Sequence, residues 1–259
     1  MKIAVVALIA ACGASPPPSS PAATPAPPVA APAAPAATLA DLGWLAGQWH
    51  SPEFDARWQL VAGALYGVSL TDTSFEVTII DDNDDDGNRA PITLTSYPTG
   101  ADPMTYPLRS VTPDAAAFGT SLRFTKTAEG LHGEFGKDAF TLVPAPVVSA
   151  PELEASDRMF AIDSARDGAE AWIRWFAPDG AMWRGTRITG VDPIRAAITQ
   201  TLRNGQLAWV PAASGTRGNL GFTLGAYTFG NHRGSYCTIW KKTVAGWRIA
   251  FDVGRPEPL

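Results

Sequence analysis

The sequence predicts two domains, an antiparallel β-barrel or sandwich followed by an α+β domain. Three observations point there. From about residue 38 to residue 144, short β-branched and aromatic runs alternate with Gly, Pro, Asp and Asn, the texture of many short strands joined by turns. Around "VPAPVVSAPELEAS" (Val143–Ser156) that texture stops and a helical pattern begins. Beyond it, helices come first and the strands "QLAWVP", "LGFTLGAYTF", "GSYCTIWKK" and "WRIAFDV" follow, which is the order of an α+β domain.

The 259-residue chain begins with Met1–Lys2 and an apolar run from Ile3 to Ala11, too short to span a bilayer and of the length of a secretory h-region. The run closes on Ile9-Ala10-Ala11-Cys12, then Gly13. This stretch resembles a bacterial lipobox. The resemblance implies a signal peptide over residues 1–11, lipidation of Cys12 and an outer-membrane anchor facing the periplasm. Several acyl chains on one cysteine hold a protein stably at a membrane. Residues 13–37 contain only Gly, Ala, Ser, Pro, Thr and Val. Such a segment buries too little to offset its ordering entropy, so residues 12–37 read as a lipidated, disordered, largely polyproline tether of about 3.1 Å per residue.

The first domain, residues 38–147, opens with "LADLGWLAGQWHS", where Leu42, Trp44 and Leu45 pack a short turn. Strands are expected at "FDARWQLV", "ALYGVSLT", "FEVTIID", "APITLTSY", "SLRFTKTA", "LHGEFG" and "AFTLVPA". The pieces "LGWLAGQW" and "GLHGEF" resemble small lipocalin-like domains of unknown function in bacterial exported proteins, which implies a β-barrel with an apolar interior. One loop, "DDNDDDGN", places Asp82, Asp84, Asp86 and Gly87 as D-x-D-x-D-G, the first half of a calcium loop. Its twelfth position is Thr93 rather than glutamate and its flanks read as strands, so an acidic solvated hairpin turn is the competing reading.

The second domain, residues 148–259, begins with Ser149 and Glu152 in a capping-box pattern and Pro151 in the first turn. Leu153, Asp157, Phe160, Ala161 and Ser164 then share one helical face. A second helix aligns Ala169, Trp172, Ile173 and Phe176, and a third starts with Asp192 as N-cap and Pro193 at its first position. The runs "ASDRMFA…DG…W…FAPDGAMW", "LGFTLGAYTF" and "GSYCTIWKKTVAGWRIAFDVG" resemble a SnoaL-like domain of the ketosteroid-isomerase and nuclear-transport-factor-2 superfamily. The resemblance spans Ala150 to Pro256 and implies an α+β cone, a curved antiparallel sheet around three helices with a deep apolar pocket. Isomerase chemistry there needs a carboxylate base and an oxyanion hole of tyrosine and protonated aspartate. At the corresponding places this sequence has Met159 or Phe160, Arg184 and Cys237, so the three groups are missing.

Two other carboxylates stand out as catalytic candidates. Asp157 shares a face with Leu153 and Phe160, an expensive place for an unpaired charge, and is either an acid or base in the pocket or an ion-pair partner of Arg184, Arg187 or Arg248. Asp252 near the end of the last strand is either a pocket-rim acid or bonded to a neighbouring loop. Trp175, Trp183, Arg184, Tyr227, Tyr236 and Trp240 are the candidate ligand-binding residues, because an apolar body with a polar tip suits a lined pocket.

Other chemistries find no support. His50, His132 and His232 lack metal-ligand spacing. There is no G-x-S-x-G elbow and no nucleotide-phosphate motif. Net charge is −5 with scattered Lys and Arg, which argues against nucleic acid as a partner. Cys237 reads as a buried inert thiol, and no cofactor is expected. The sequence therefore favours a lipid-anchored protein that binds a small apolar or amphipathic ligand without turnover. The alternatives are proton transfer of the isomerase or dehydratase type through Asp157 or Asp252, and a structural protein that dimerises through the outer sheet face of the second domain.

Overall fold

The computed structural model of the chain describes residues 37–84 and 87–257. Cys12, the expected tether up to residue 36, and Asp86 of the acidic loop lie outside the described residues. None of the described helices is long and apolar enough to cross a membrane.

Ten strands form a closed antiparallel barrel in which each strand pairs with its chain neighbour and the last returns to the first. They are β1 (Gly47–His50), β2 (Asp55–Val61), β3 (Ala64–Leu70), β4 (Phe75–Asn83), β5 (Arg89–Pro98), β6 (Met104–Thr112), β7 (Ala115–Phe118), β8 (Leu122–Lys126), β9 (Leu131–Phe135) and β10 (Asp138–Pro144). Strands β1, β6 and β7 add to those read from the sequence. β7 is three alanines and a phenylalanine and β6 is largely exposed with Pro107 inside it, so neither shows the β-branched alternation that marks a strand.

The barrel's interior is filled. A 3₁₀ turn, Leu39–Leu45, inserts Leu42 and Leu45 among Trp58, Phe118, Phe124 and Leu131. The Trp58 and Phe124 rings meet edge to face at 5.6 Å, a favoured aromatic geometry. Gly67 makes room for Trp58, since a Cβ there would lie 2.7 Å from the indole.

The remainder holds α1 (Pro151–Asp167), α2 (Ala169–Trp175), β11 (Phe176–Trp183), β12 (Arg187–Thr189), α3 (Val191–Asn204), β13 (Leu207–Arg217), β14 (Leu220–Phe229), β15 (His232–Thr243) and β16 (Gly246–Pro256). The six strands form one sheet in the order β12-β11-β16-β15-β14-β13. The sheet is mixed rather than wholly antiparallel, because β11 runs parallel to β16. Two caps differ from expectation. The N-cap of α1 is Ala150 rather than Ser149 and supplies no side-chain cap; its own N–H donates to Ser214 Oγ of the sheet at 2.8 Å. The N-cap of α3 is Gly190 at φ +86°, which puts Asp192 and Pro193 inside the first turn.

One face of the sheet carries the helices. The other lies on the outside of the barrel. Tyr66, Val68, Val77 and Ile79 of the barrel pack with Phe222, Leu224, Cys237, Ile239, Phe251 and Val253 of the sheet in one shared core. β3 is therefore buried almost continuously, as strands covered on both faces are. Polar contacts stitch the seam. Tyr66 Oη donates to Ser235 Oγ at 3.1 Å, Arg255 Nη2 donates to Tyr97 Oη at 2.9 Å, and Arg255 Nε pairs with Asp81 Oδ2 at 3.1 Å. The outer sheet face, expected as a dimerisation surface, is thus occupied by the chain's own barrel.

Candidate ligand cavity

Strand bulges decide which side chains face the helices. On β15, Tyr236 and Trp240 belong to the helix-side core and Cys237 and Ile239 to the barrel-side core, the simple alternation of a strand. On β16 the register slips, with Trp240 opposite Ile249 but Ile239 opposite Phe251. Ala250 is the extra residue, a β-bulge. Ile249 therefore faces the helices, whereas Phe251 and Val253 face the barrel and Asp252 turns to the helix side. A second slip on β13, between Pro211 and Ala213, puts Trp209 on the helix side and Ala213 on the barrel side.

Between this face and the helices lies a cavity of about 550 Å³. Its aromatic walls include Phe160 from α1, Trp172 from α2, Trp209 from β13 and Tyr236 from β15, and Ile198 comes from α3. Trp183, Arg184, Tyr227, His232, Thr238 and Asp252 also line it. A cavity of this size with apolar walls and a few convergent polar groups suits a small ligand.

Asp157 is fully buried and is not among the lining residues. It sits behind the wall and holds two of its members. Tyr236 Oη donates to Asp157 Oδ2 at 2.6 Å, and Trp209 Nε1 donates to Asp157 Oδ1 at 2.8 Å. Neither is the arginine considered from the sequence. Arg184 pairs with Asp252, Arg187 donates to the Ala101 carbonyl across the seam, and Arg248 donates to the Trp247 carbonyl. Burial pushes the Asp157 carboxyl up, and the bonds from Tyr236, Trp209 and Thr223 oppose that rise. Burial together with the adjacent Asp157 charge pushes the Tyr236 phenol far above its ordinary value, so Tyr236 keeps its proton.

Asp252 is a buried wall residue rather than a rim acid. Its Oδ1 accepts from Arg184 Nη2 at 2.6 Å and its Oδ2 from Thr238 Oγ1 at 2.9 Å. Arg184 is about a third exposed, so it presents the charged pair to the cavity from its open side. Burial raises the nearby Tyr227 phenol, while Arg184 pulls it down.

Of the ligand-binding residues expected from the sequence, Trp183, Arg184, Tyr227 and Tyr236 line the cavity and Trp175 and Trp240 do not. Trp240 is fully buried and bonded through Nε1 to Thr223 Oγ1 at 2.9 Å. Trp175 packs on Trp240 and Phe160 and donates to Asp163. Both are core. Trp209, which is not among the candidates read from the sequence, lines the cavity as the buried residue between exposed Ala208 and Val210 on β13. Met159 is exposed, Phe160 is a wall residue, and Cys237 faces the barrel with its thiol pushed up by burial. In the acidic loop, Asp82 pairs with Arg89 and Asp84 Oδ1 accepts from the Asn88 backbone at 2.9 Å. No group of three metal-ligating side chains occurs among the described residues.

No protein-family model matches the chain, and no curated protein matches it. Solved structures do. A protein of unknown function from Mycobacterium tuberculosis is 20% identical, covering 42% of this chain and 76% of its own with a TM-score of 0.37. An NTF2-like protein with a cystatin-like fold from Novosphingobium aromaticivorans is 19% identical over 40% of this chain and 79% of its own, with a TM-score of 0.34. An NTF2-like protein of unknown function from Shewanella oneidensis is 13% identical over 40% of this chain and 98% of its own, with a TM-score of 0.35. The similarity covers 40–42% of this chain in each case, and two of the three structures are described as NTF2-like.

Proposed function

We propose that the chain binds a small amphipathic molecule in the cavity under α1–α3 and does not transform it. The observation that carries this reading is the position of Asp157. Its carboxylate is sealed from the cavity by the two side chains it holds, and both oxygens of Asp252 are already bonded. A general base must reach the proton it takes, directly or through one water; Asp157 does not line the cavity, and the Asp252 carboxylate is already held by the Arg184 cation and Thr238. Phe160, Trp172 and Trp209 would take the apolar body, and Arg184, His232 and the Tyr236 oxygen the polar end. The lipobox resemblance adds that this happens on a membrane-anchored chain, which palmitate labelling of wild type and Cys12→Ala would test.

Native mass spectrometry of the purified full chain tests the binding reading. A co-purifying small molecule that is lost in Trp209→Ala is the expected result. An apo mass, with no change in tryptophan fluorescence across a panel of lipids and metabolites, would overturn it.

One observation favours a second reading. The Asp157 carboxyl is held up by burial and touches the cavity-lining Tyr236, so a proton could pass from a ligand through the phenol to Asp157. Solvent deuterium appearing in a recovered ligand with wild type, but not with Asp157→Asn, would support turnover.

A further inference from the structure

A second cavity, of about 330 Å³, opens at the seam between barrel and sheet. Gln48 and His50 of β1, Arg57 of β2, and Val68 and Leu70 of β3 form the barrel side. Thr216 and Phe222 come from the sheet. Arg57 is the unusual member. Its Nη2 donates to neutral Gln59 Oε1 at 2.8 Å. Its Nε and Nη1 are buried and have no acceptor among the described residues. The cavity's one carboxylate, Asp55, is bonded instead to His50 Nδ1 at 2.6 Å and to Arg217 Nη1 at 3.2 Å. Burial pushes the guanidinium down, with no neighbouring charge to restore it. A half-buried cation without a counterion is costly, and its unsatisfied buried N–H groups call for a partner.

We propose that this seam cavity binds a small monocarboxylate, with its anionic end on Arg57 and its apolar end against Val68, Leu70 and Phe222. A planar guanidinium matches a planar carboxylate. One unpaired cation balances one negative charge, whereas a doubly charged phosphate beside Asp55 would remain uncompensated. The volume holds about ten water-sized groups, enough for a short aliphatic acid. This site is separate from the cavity under the helices and does not depend on the function proposed for it.

Thermal unfolding of the full chain with millimolar hexanoate tests the proposal, with hexanol and inorganic phosphate as controls. Hexanoate at tenfold excess over its Kd is expected to raise Tm by about 3–6 °C, and neither control should do so. In Arg57→Gln the hexanoate shift should vanish while the ligand-free Tm stays at or above that of wild type, because an uncompensated cation has been removed. Arg184→Gln, in the other cavity, should keep the shift. Amide shifts of Gly215 and Thr216 on hexanoate addition give an independent readout in wild type. No hexanoate effect, an equal effect of hexanol or phosphate, or a full effect in Arg57→Gln would overturn the proposal.

Discussion

Tyr236 Oη lies 2.6 Å from Asp157 Oδ2 and ties the middle of β15 to the buried face of α1. The bond fixes the orientation of a cavity wall residue from behind. It also satisfies a carboxylate that would otherwise be stranded in an apolar core.

Removing that carboxylate should cost stability in a way that depends on shape. Asp157→Leu leaves the Trp209 and Tyr236 donors without an acceptor, at about 1–3 kcal/mol each. Asp157→Asn can still accept from Trp209 and donate to the Tyr236 oxygen, so its loss should be under about 1.5 kcal/mol. It also turns the Tyr236 O–H toward the cavity. Urea unfolding of the two variants measures the difference, and equal losses would argue against the hydrogen-bonded arrangement.

Gly225→Ala should disturb the same point from the sheet. A Cβ there would lie 2.2 Å from the Val210 carbonyl and 2.6 Å from the Tyr236 ring. Because a backbone atom is in the way, β13 and β14 must move apart. A loss of about 1–3 kcal/mol is expected, together with a weakened response of tryptophan fluorescence to any ligand of the main cavity.

Arg184→Ala strips Asp252 of its cation and leaves only Thr238. Asp252 is buried but Arg184 is partly solvated, so the loss should fall below that of a fully buried pair, at about 1–3 kcal/mol. The double variant with Asp252→Asn should recover part of it. A double-mutant cycle showing no coupling would remove the pair from the site's architecture.

The barrel–sheet seam should carry a pH signature. Burial raises Asp81 to about 6 against the pull of Arg255. A raised folded-state pKa means that the folded state holds the proton where the unfolded state has released it. The contribution of Asp81 is therefore fully present below the ordinary carboxylate value of about 3.9 and is lost as pH rises toward about 6. The stability difference between wild type and Asp81→Asn should change across that window by at most about 3 kcal/mol. A flat difference would show that the carboxylate is not buried at the seam.

Cys237 reports whether barrel and sheet separate. In a Cys12→Ser chain it is the single thiol, fully buried in the shared core. Its alkylation midpoint in denaturant should coincide with that of tryptophan fluorescence. Labelling that precedes the fluorescence change would mean that the sheet leaves the barrel before either unfolds.

Much of this architecture is legible in the chain. Alternation in Phe75–Ile79 and the dense turn residues locate the barrel strands. The 3.6-residue spacing of Leu153, Asp157, Phe160 and Ser164 identifies the inward face of α1, and all four are buried. Asp157 is conspicuous because its type conflicts with that face. Local patterns are readable because they repeat at the period of the element that carries them.

What the sequence could not supply is which residues meet. Strand alternation puts Ile249, Phe251 and Val253 on one face and Asp252 on the other, but the bulge at Ala250 divides the first three between two cores and turns Asp252 to the cavity. Trp175 and Trp240 have the same chemistry as Trp183 and Trp209, and only packing separates core from wall. The partner of Asp157 is 79 residues away at Tyr236, and the seam that covers the outer sheet face brings β3 and β4 onto β14–β16. Periodicity along a chain says which way a side chain points within its own element. Contacts between distant elements depend on register, bulges and the fit of whole faces, and those are settled only when the chain folds on itself.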